Sequence, residues 1–188
     1  MRKVFCGLIA VFLFFAVLPL YASDLPPAVG EAFPPIQLTS PNLQDKTYLG
    51  ISYFSKSFTV SQVKAPLVLI QILSMYCPYC QKEAPNVNAL FRKIESDPTL
   101  KGKIKIIGIG VGNSAYETDF FRKKYSVPFP VIADPEFIAY KKIGGNVRTP
   151  YFFGVRTGEG LKVVYSAKGS LGDPEQFLKS LIKSAELK

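Results

Sequence analysis

Histidine is absent from all 188 residues, which removes Ser-His-Asp and Cys-His catalysis, imidazole ligation of zinc or haem, and any histidine proton switch. A general base in this chain must be a carboxylate, Lys, Tyr or a thiolate. Tryptophan is absent as well, and cysteine is scarce at three residues. That is too few for a small disulfide-stapled scaffold or for a zinc site of four thiolates. The N-terminal apolar stretch from Val4 to Leu18 would span about 22 Å as a helix, short of the roughly 30 Å hydrocarbon core of a bilayer. A hydrophobic core is not lacking. With 48% hydrophobic and 20% charged residues over this length, disorder is excluded and one domain with a sizeable core is expected.

Arg2 and Lys3 precede the apolar stretch, and Pro19 and Leu20-Tyr21-Ala22-Ser23 follow it. Together these make the charged, apolar and small-residue regions of a secretory signal. Residues 1–22 are therefore expected to be a signal peptide cleaved after Ala22, the alternative being an uncleaved membrane anchor, and residues 23–188 to be the functional domain. Removing the segment takes away Arg2, Lys3 and no acid, so the formal net charge falls from +9 to +7. Cys6 leaves with it, and Cys77 and Cys80 remain. An exported protein meets an oxidising compartment, so a chain that keeps one close cysteine pair is expected to use it. The basic groups Lys101/Lys103/Lys105, Arg122/Lys123/Lys124 and Lys141/Lys142 are scattered and not interleaved with aromatics. They read as solvated faces, and no nucleic-acid partner is expected.

Along the mature chain, Asp24 to Pro35 reads as a proline-rich extended lead-in. Ile36 to Leu38 and Thr47 to Leu49 read as short strands joined by the turn-rich Ser40 to Asp45, while Gly50 to Val63 has no clear pattern. Leu67 to Leu73 is a nearly unbroken apolar run, the pattern of a central strand covered on both faces. A helix follows Cys77 and Pro78, with Val87, Leu90, Phe91 and Ile94 at helical spacing and a kink expected at Pro85. Lys103 to Val111 supplies a second buried strand, so a right-handed parallel βαβ unit is expected. Ser114 and Glu117 have capping-box spacing for a helix showing Tyr116, Phe120, Phe121 and Tyr125 on one side. A third strand near Pro130 to Ala133 and a short helix around Glu136 to Ile143 come next. Tyr151 to Val155 and Leu161 to Ala167 form a hairpin around Arg156 to Gly160, and Asp173 and Pro174 open an amphipathic final helix.

Cys77-Pro78-Tyr79-Cys80 falls at the junction of the buried strand and its helix, the context in which a CxxC reads as a redox motif. There Cys77 would meet the free N–H groups and dipole of a helix N-terminus, which favour the thiolate. Pro78 suits the first helical position. Cys80, one turn on, is placed to attack a mixed disulfide formed on Cys77. A half zinc site would lack two ligands, and a purely structural bridge would close too short a loop to stabilise much.

This order of elements, with Thr149-Pro150 leading into the hairpin, resembles the thioredoxin fold over roughly Gly30 to Ala185. The expected class is α/β: a central mixed β-sheet flanked by helices, with an N-terminal β extension. Within that fold the run Cys77-Pro-Tyr-Cys80-Gln-Lys-Glu83-Ala-Pro85 is similar to the exported TlpA/ResA-type thiol-disulfide oxidoreductases. The resemblance implies that Tyr76 stands where an aromatic, most often Trp, precedes the first cysteine. It implies that Pro150, with Thr149 before it, is a cis-proline facing the pair and holding a substrate chain. It also implies that Glu83 lies close to the cysteines and handles protons, though Glu83 equally reads as an ordinary acid of an early helical turn. Where cytoplasmic thioredoxins bury an aspartate, this chain has Gln71, which cannot act as a base. Lys82 reads as solvent-facing, and Tyr79 shapes the partner surface or covers the helix end.

The expected activity is disulfide exchange with cysteines of exported proteins, without cofactor or metal, Cys77 attacking and Cys80 resolving. A reductant is favoured over an oxidant, because the Glu-x-Pro context is present and no histidine lies between the cysteines. The resemblance allows apocytochrome or copper-site proteins as partners and implies a membrane electron donor. A monomer is expected, and a disulfide isomerase is disfavoured because no added dimerisation domain is visible. Two other readings stay open. In a peroxiredoxin-like peroxide reductase Ser74 would fit the motif and Ile70 would not. A Cu(I) carrier would use the two thiolates, with Met75 as the one methionine of the mature chain.

Overall fold

The computed structural model describes residues 25–158 and 160–187. The expected signal segment, with Cys6 and the Ala22 cleavage point, lies outside the described residues. In chain order the elements are β1 (Gln37–Thr39), α1 (Leu43–Leu49), β2 (Ser57–Thr59), a 3-10 turn (Val60–Gln62), β3 (Leu67–Leu73), α2 (Pro78–Ser96) and β4 (Ile104–Val111). Then follow α3 (Ala115–Lys124), β5 (Val131–Asp134), α4 (Ile138–Lys142), β6 (Tyr151–Arg156), β7 (Lys162–Lys168) and α5 (Pro174–Ser184).

Every residue of β3 and β4 is buried, as an apolar run without alternation demands. The two strands pair in parallel at the centre of a five-stranded mixed sheet ordered β5-β4-β3-β6-β7, with β6 antiparallel to β3 and to β7. Period-two alternation divides β3 between two cores. Val68, Ile70 and Ile72 pack on the side of the N-terminal extension and α4, while Leu67, Leu69 and Leu73 pack with Cys80, Val87 and Leu90 of α2 and Leu181 of α5. Each such side chain, buried in full, contributes about 1.5–3 kcal/mol. Helix α2 runs on through Pro85 to Ser96, and no helix among the described residues is long and apolar enough to cross a membrane.

The lead-in lies along the outer edge of β7. Gly30 and Phe33 donate their N–H groups to the Val163 and Leu161 carbonyls, and the Val163 N–H returns to the Glu31 carbonyl, each at 2.8 Å.

Two expectations are corrected. Thr47 to Leu49 is the end of helix α1, not a strand, and the strand that pairs with β1 is β2. The residues that read as a turn are a helix start: the Asn42 side chain accepts the Asp45 N–H at 2.9 Å, and Gly50, in the left-handed region at φ 67°, closes the far end. Asp45, almost fully buried, is also held by a fork from α3, Arg122 Nη1 and Nη2 at 2.7 and 3.2 Å. On α3 the capping box of Ser114 and Glu117 forms, but the buried face is Thr118 and Phe121. Tyr116 and Phe120 are exposed, because only one stripe of so short a helix meets the sheet.

Arg122→Ala would leave the buried Asp45 carboxylate without its cation. We expect a loss of about 2–3 kcal/mol in urea unfolding, with the midpoint shifted and the slope unchanged.

Candidate active site

Strand β3 ends at Leu73, and the three residues before Cys77 turn the chain into α2. Cys77 is the N-cap, in extended conformation, and its sulfur accepts the Cys80 N–H at 3.4 Å, the bond a Ser or Asp cap would make. Pro78 occupies the first turn, where its missing N–H leaves no bond unmade. Across the site, the antiparallel pairing of β3 with β6 brings up the segment before Tyr151. The Thr149–Pro150 peptide is cis, Pro150 is buried, and the Cys77 thiol donates to the Thr149 carbonyl at 3.3 Å.

The two thiols differ sharply. Cys77 is half-buried and Cys80 wholly buried. Burial alone would raise the Cys77 thiol, but hydrogen bonds from the Thr149 side chain, from Cys80 and from the Tyr79 N–H outweigh it and hold the pKa below the ordinary 9.0. Burial, reinforced by the neighbouring Cys77 sulfur, pushes Cys80 up to about 12. Of the two, Cys77 is the thiol that ionises more readily, and Cys80, at about 12, is the one that holds its proton.

Around the pair, Tyr76 and Tyr79 stand 66% and 71% exposed, too open for core packing, and Pro78 and Lys82 are also exposed. Glu83 is buried beneath the helix surface. Its carboxylate accepts the Leu171 N–H at 2.8 Å and the Asn86 amide at 3.4 Å, so its hydrogen bonds run to the loop before α5 and along its own helix. Gln71 is buried in mid-strand opposite Gly108 and Phe152, and its Nε2 finds no partner among the described residues. The Ser74 hydroxyl is taken by the Asn113 amide at 3.4 Å. No cluster of three or more thiols and carboxylates converges to hold a metal among the described residues.

Side chains outside the cysteine pair hold the turn before Cys77, and one of them, Asn113, had no part in the sequence reading. Asn113, fully buried after β4, accepts the Met75 N–H at 2.8 Å. Gln81 Nε2 donates to the Met75 carbonyl at 2.8 Å, and the Tyr76 hydroxyl donates to Glu117 Oε1. That hydrogen bond raises the Tyr76 phenol and lowers the Glu117 carboxyl from their usual ranges. The only sequence signal for Asn113 was a polar residue just past a buried strand; its partner lies 38 positions away.

A cysteine pair of unequal burial and acidity, held at a helix start against a cis-proline segment of a mixed sheet, defines a thiol-disulfide oxidoreductase of thioredoxin-like architecture. A model of the AhpC/TSA family matches residues 29–157, and the chain belongs to that family. Among solved structures, a candidate thiol:disulfide interchange protein DsbE from Chlorobium tepidum is similar with a TM-score of 0.63 at 16% identity, over 84% of this chain and 98% of its own. A candidate protein disulfide isomerase from Bacteroides thetaiotaomicron gives 0.62 at 20% identity, over 85% and 89%. A secreted Mycobacterium tuberculosis disulfide oxidoreductase homologous to E. coli DsbE gives 0.56 at 13%, over 79% and 95%. At such identities the likeness is one of fold. No curated protein matches the sequence.

The acidity difference has a direct readout. In the reduced protein, alkylation should fall on Cys77 with a pH midpoint below 9.0, while Cys80 stays unmodified until far higher pH. Mass spectrometry of briefly treated samples checks this, and equal labelling of the two would contradict it. Asn113→Ala should raise the Cys77 midpoint and lower stability by about 1–2 kcal/mol through the loosened turn.

Proposed function

We propose that the protein exchanges disulfides with cysteines of other proteins outside the cytoplasm, and acts there as a reductant. The carrying observation is the unequal pair, a partly open Cys77 of lowered pKa backed by a buried Cys80 at about 12. The Cys77 thiolate attacks one sulfur of a partner disulfide. The partner's S–S bond breaks, its other sulfur leaves as thiolate and takes up a proton, and a mixed disulfide remains. Cys80 then loses its proton and attacks Cys77, releasing the second partner thiol and closing the Cys77–Cys80 disulfide. Two electrons pass from the pair to the partner. A dithiol donor at the membrane must return them.

Thr149 and Pro150 are assigned to hold the partner chain beside Cys77, and Pro78, Tyr76 and Tyr79 to face it. Glu83, one turn beyond Cys80 on the same helix, is assigned the Cys80 proton in the second step.

Export is supported by the signal-like residues 1–22 and by the secreted character of the Mycobacterium tuberculosis protein of similar fold. The reductant direction is supported by the Glu83-Ala-Pro85 context and by the absence of a histidine between Cys77 and Cys80. Strong oxidants owe their potentials to a highly stabilised thiolate, and a histidine between the cysteines is one device for it that this chain lacks.

The reduction potential of residues 23–188, equilibrated against dithiothreitol and glutathione buffers, should lie below about −230 mV. A value above about −180 mV would make the protein an oxidant. Cys80→Ser should accumulate a mixed disulfide with a disulfide-bearing test protein, Cys77→Ser should form none, and the wild-type protein should not turn over hydrogen peroxide.

A further inference from the structure

Beside Cys77 lies an open cleft of about 540 Å³. Tyr76, Gly112, Phe137, Tyr140, Val147 and Arg148 line it, and Thr149 closes it on the cysteine side. The volume falls in the range of sites that take a small ligand or a few side chains. Its floor is aromatic and aliphatic, and no carboxylate lines it.

Phe137 is held there at a cost. It sits in the left-handed region at φ 58°, which a bulky residue adopts only when its surroundings compel it, and its ring is 42% exposed. Two neighbours compel it. Both Asp134 carboxylate oxygens accept N–H groups of the following helix, Ala139 at 3.1 Å and Tyr140 at 2.9 Å, which fixes the turn. Gly112 leaves room for the ring, since a Cβ at that position would stand 2.6 Å from Phe137 Cζ. Strain kept in an open aromatic at the rim of a reactive site points to a contact made with something else.

Arg148 supplies the polarity of that contact. It is exposed and forms no ion pair among the described residues. It directly precedes Thr149, whose carbonyl accepts the Cys77 thiol. An unpaired guanidinium beside an apolar floor fits a carboxylate next to an apolar side chain.

Resting on the thiol-disulfide exchange proposed above, we infer that this cleft selects partner segments in extended conformation that carry Asp or Glu within two residues of the reactive cysteine, with an apolar residue beside it. The carboxylate pairs with Arg148 and the apolar side chain lies on Phe137. An extended chain advances about 3.3 Å per residue, so a carboxylate one or two residues from the reactive cysteine is displaced by about one residue step or two, the scale that separates Arg148 from Thr149, whose carbonyl Cys77 meets.

The test uses the reduced protein and a set of short peptides, each with one cysteine carried as its mixed disulfide with thiopyridine, a neutral leaving group. The Cys77 thiolate attacks the peptide sulfur, the peptide–thiopyridine bond breaks, and the thiopyridine released is followed by absorbance. Peptides with Asp beside the cysteine should react about tenfold faster than those with Lys, and added salt should narrow the gap. Arg148→Glu should reverse the order, whereas Lys142→Glu, an equal change of net charge on exposed α4, should leave it standing. Phe137→Ala should remove a preference for an apolar neighbour without touching the charge preference.

Dipyridyl disulfide, small and uncharged, serves as the control for the chemistry itself. Equal rates for the Asp and Lys peptides, or equal effects of the two charge reversals, with the control reaction intact, would overturn the inference and leave the exchange reading in place. Failure of the control reaction would overturn the exchange reading.

Discussion

The antiparallel ladder between β3 and β6, running from Leu67 opposite Arg156 to Ile72 opposite Tyr151, carries the end of one strand to the beginning of the other. Cys77 follows β3 within a few residues, and Thr149 and Pro150 precede β6 directly, so the ladder's register decides that sulfur and carbonyl meet. A slip of one residue would also turn the faces of β3 inside out, setting Gln71 among the residues now facing the N-terminal extension and Ile70 and Ile72 against α2. Burial of β3 on both faces thus does more than stabilise the sheet. It places the thiol that begins α2 against a segment 72 residues later in the chain.

Once that placement is made, the chemistry follows from an inequality between two identical side chains. Cys77 ends up at the rim with neutral hydrogen-bond donors around it, and Cys80 one turn deeper in the core with Leu69, Leu73 and Val87. Desolvation penalises the charged form of both, but only Cys77 has enough donors to reverse the balance. The pair therefore has a built-in order of ionisation. The turn before it is held from three sides, by Asn113, Gln81 and Glu117, which fixes the segment that leads into Cys77.

How well sequence reasoning reads this chain depends on how far each signal reaches. Leu67 to Leu73 and Ile104 to Val111 were plain as buried strands, and Asp173-Pro174 and Ser114…Glu117 as helix starts, because run length and capping are local. Thr47 to Leu49 misled because Asn42 and Asp45 suit a turn and a helix cap equally, and the choice was made by Arg122 from a distant helix. Tyr116 and Phe120 misled because aromatic spacing indicates a face but not which face finds a partner.

The amino-acid sequence by itself determined the close cysteine pair, its place between a strand and a helix, and the chemistry excluded by a chain without histidine. It could do so because a thiolate at a helix start depends on a few consecutive residues. Only the tertiary structure decided that Cys80 is the buried, hard-to-ionise partner, that Glu83 bonds toward Leu171, that Asn113 holds the turn, and that Phe137 and Arg148 share a cleft beside Cys77. Those facts rest on desolvation and on contacts between residues far apart in the chain. Neither exists until the sheet has closed.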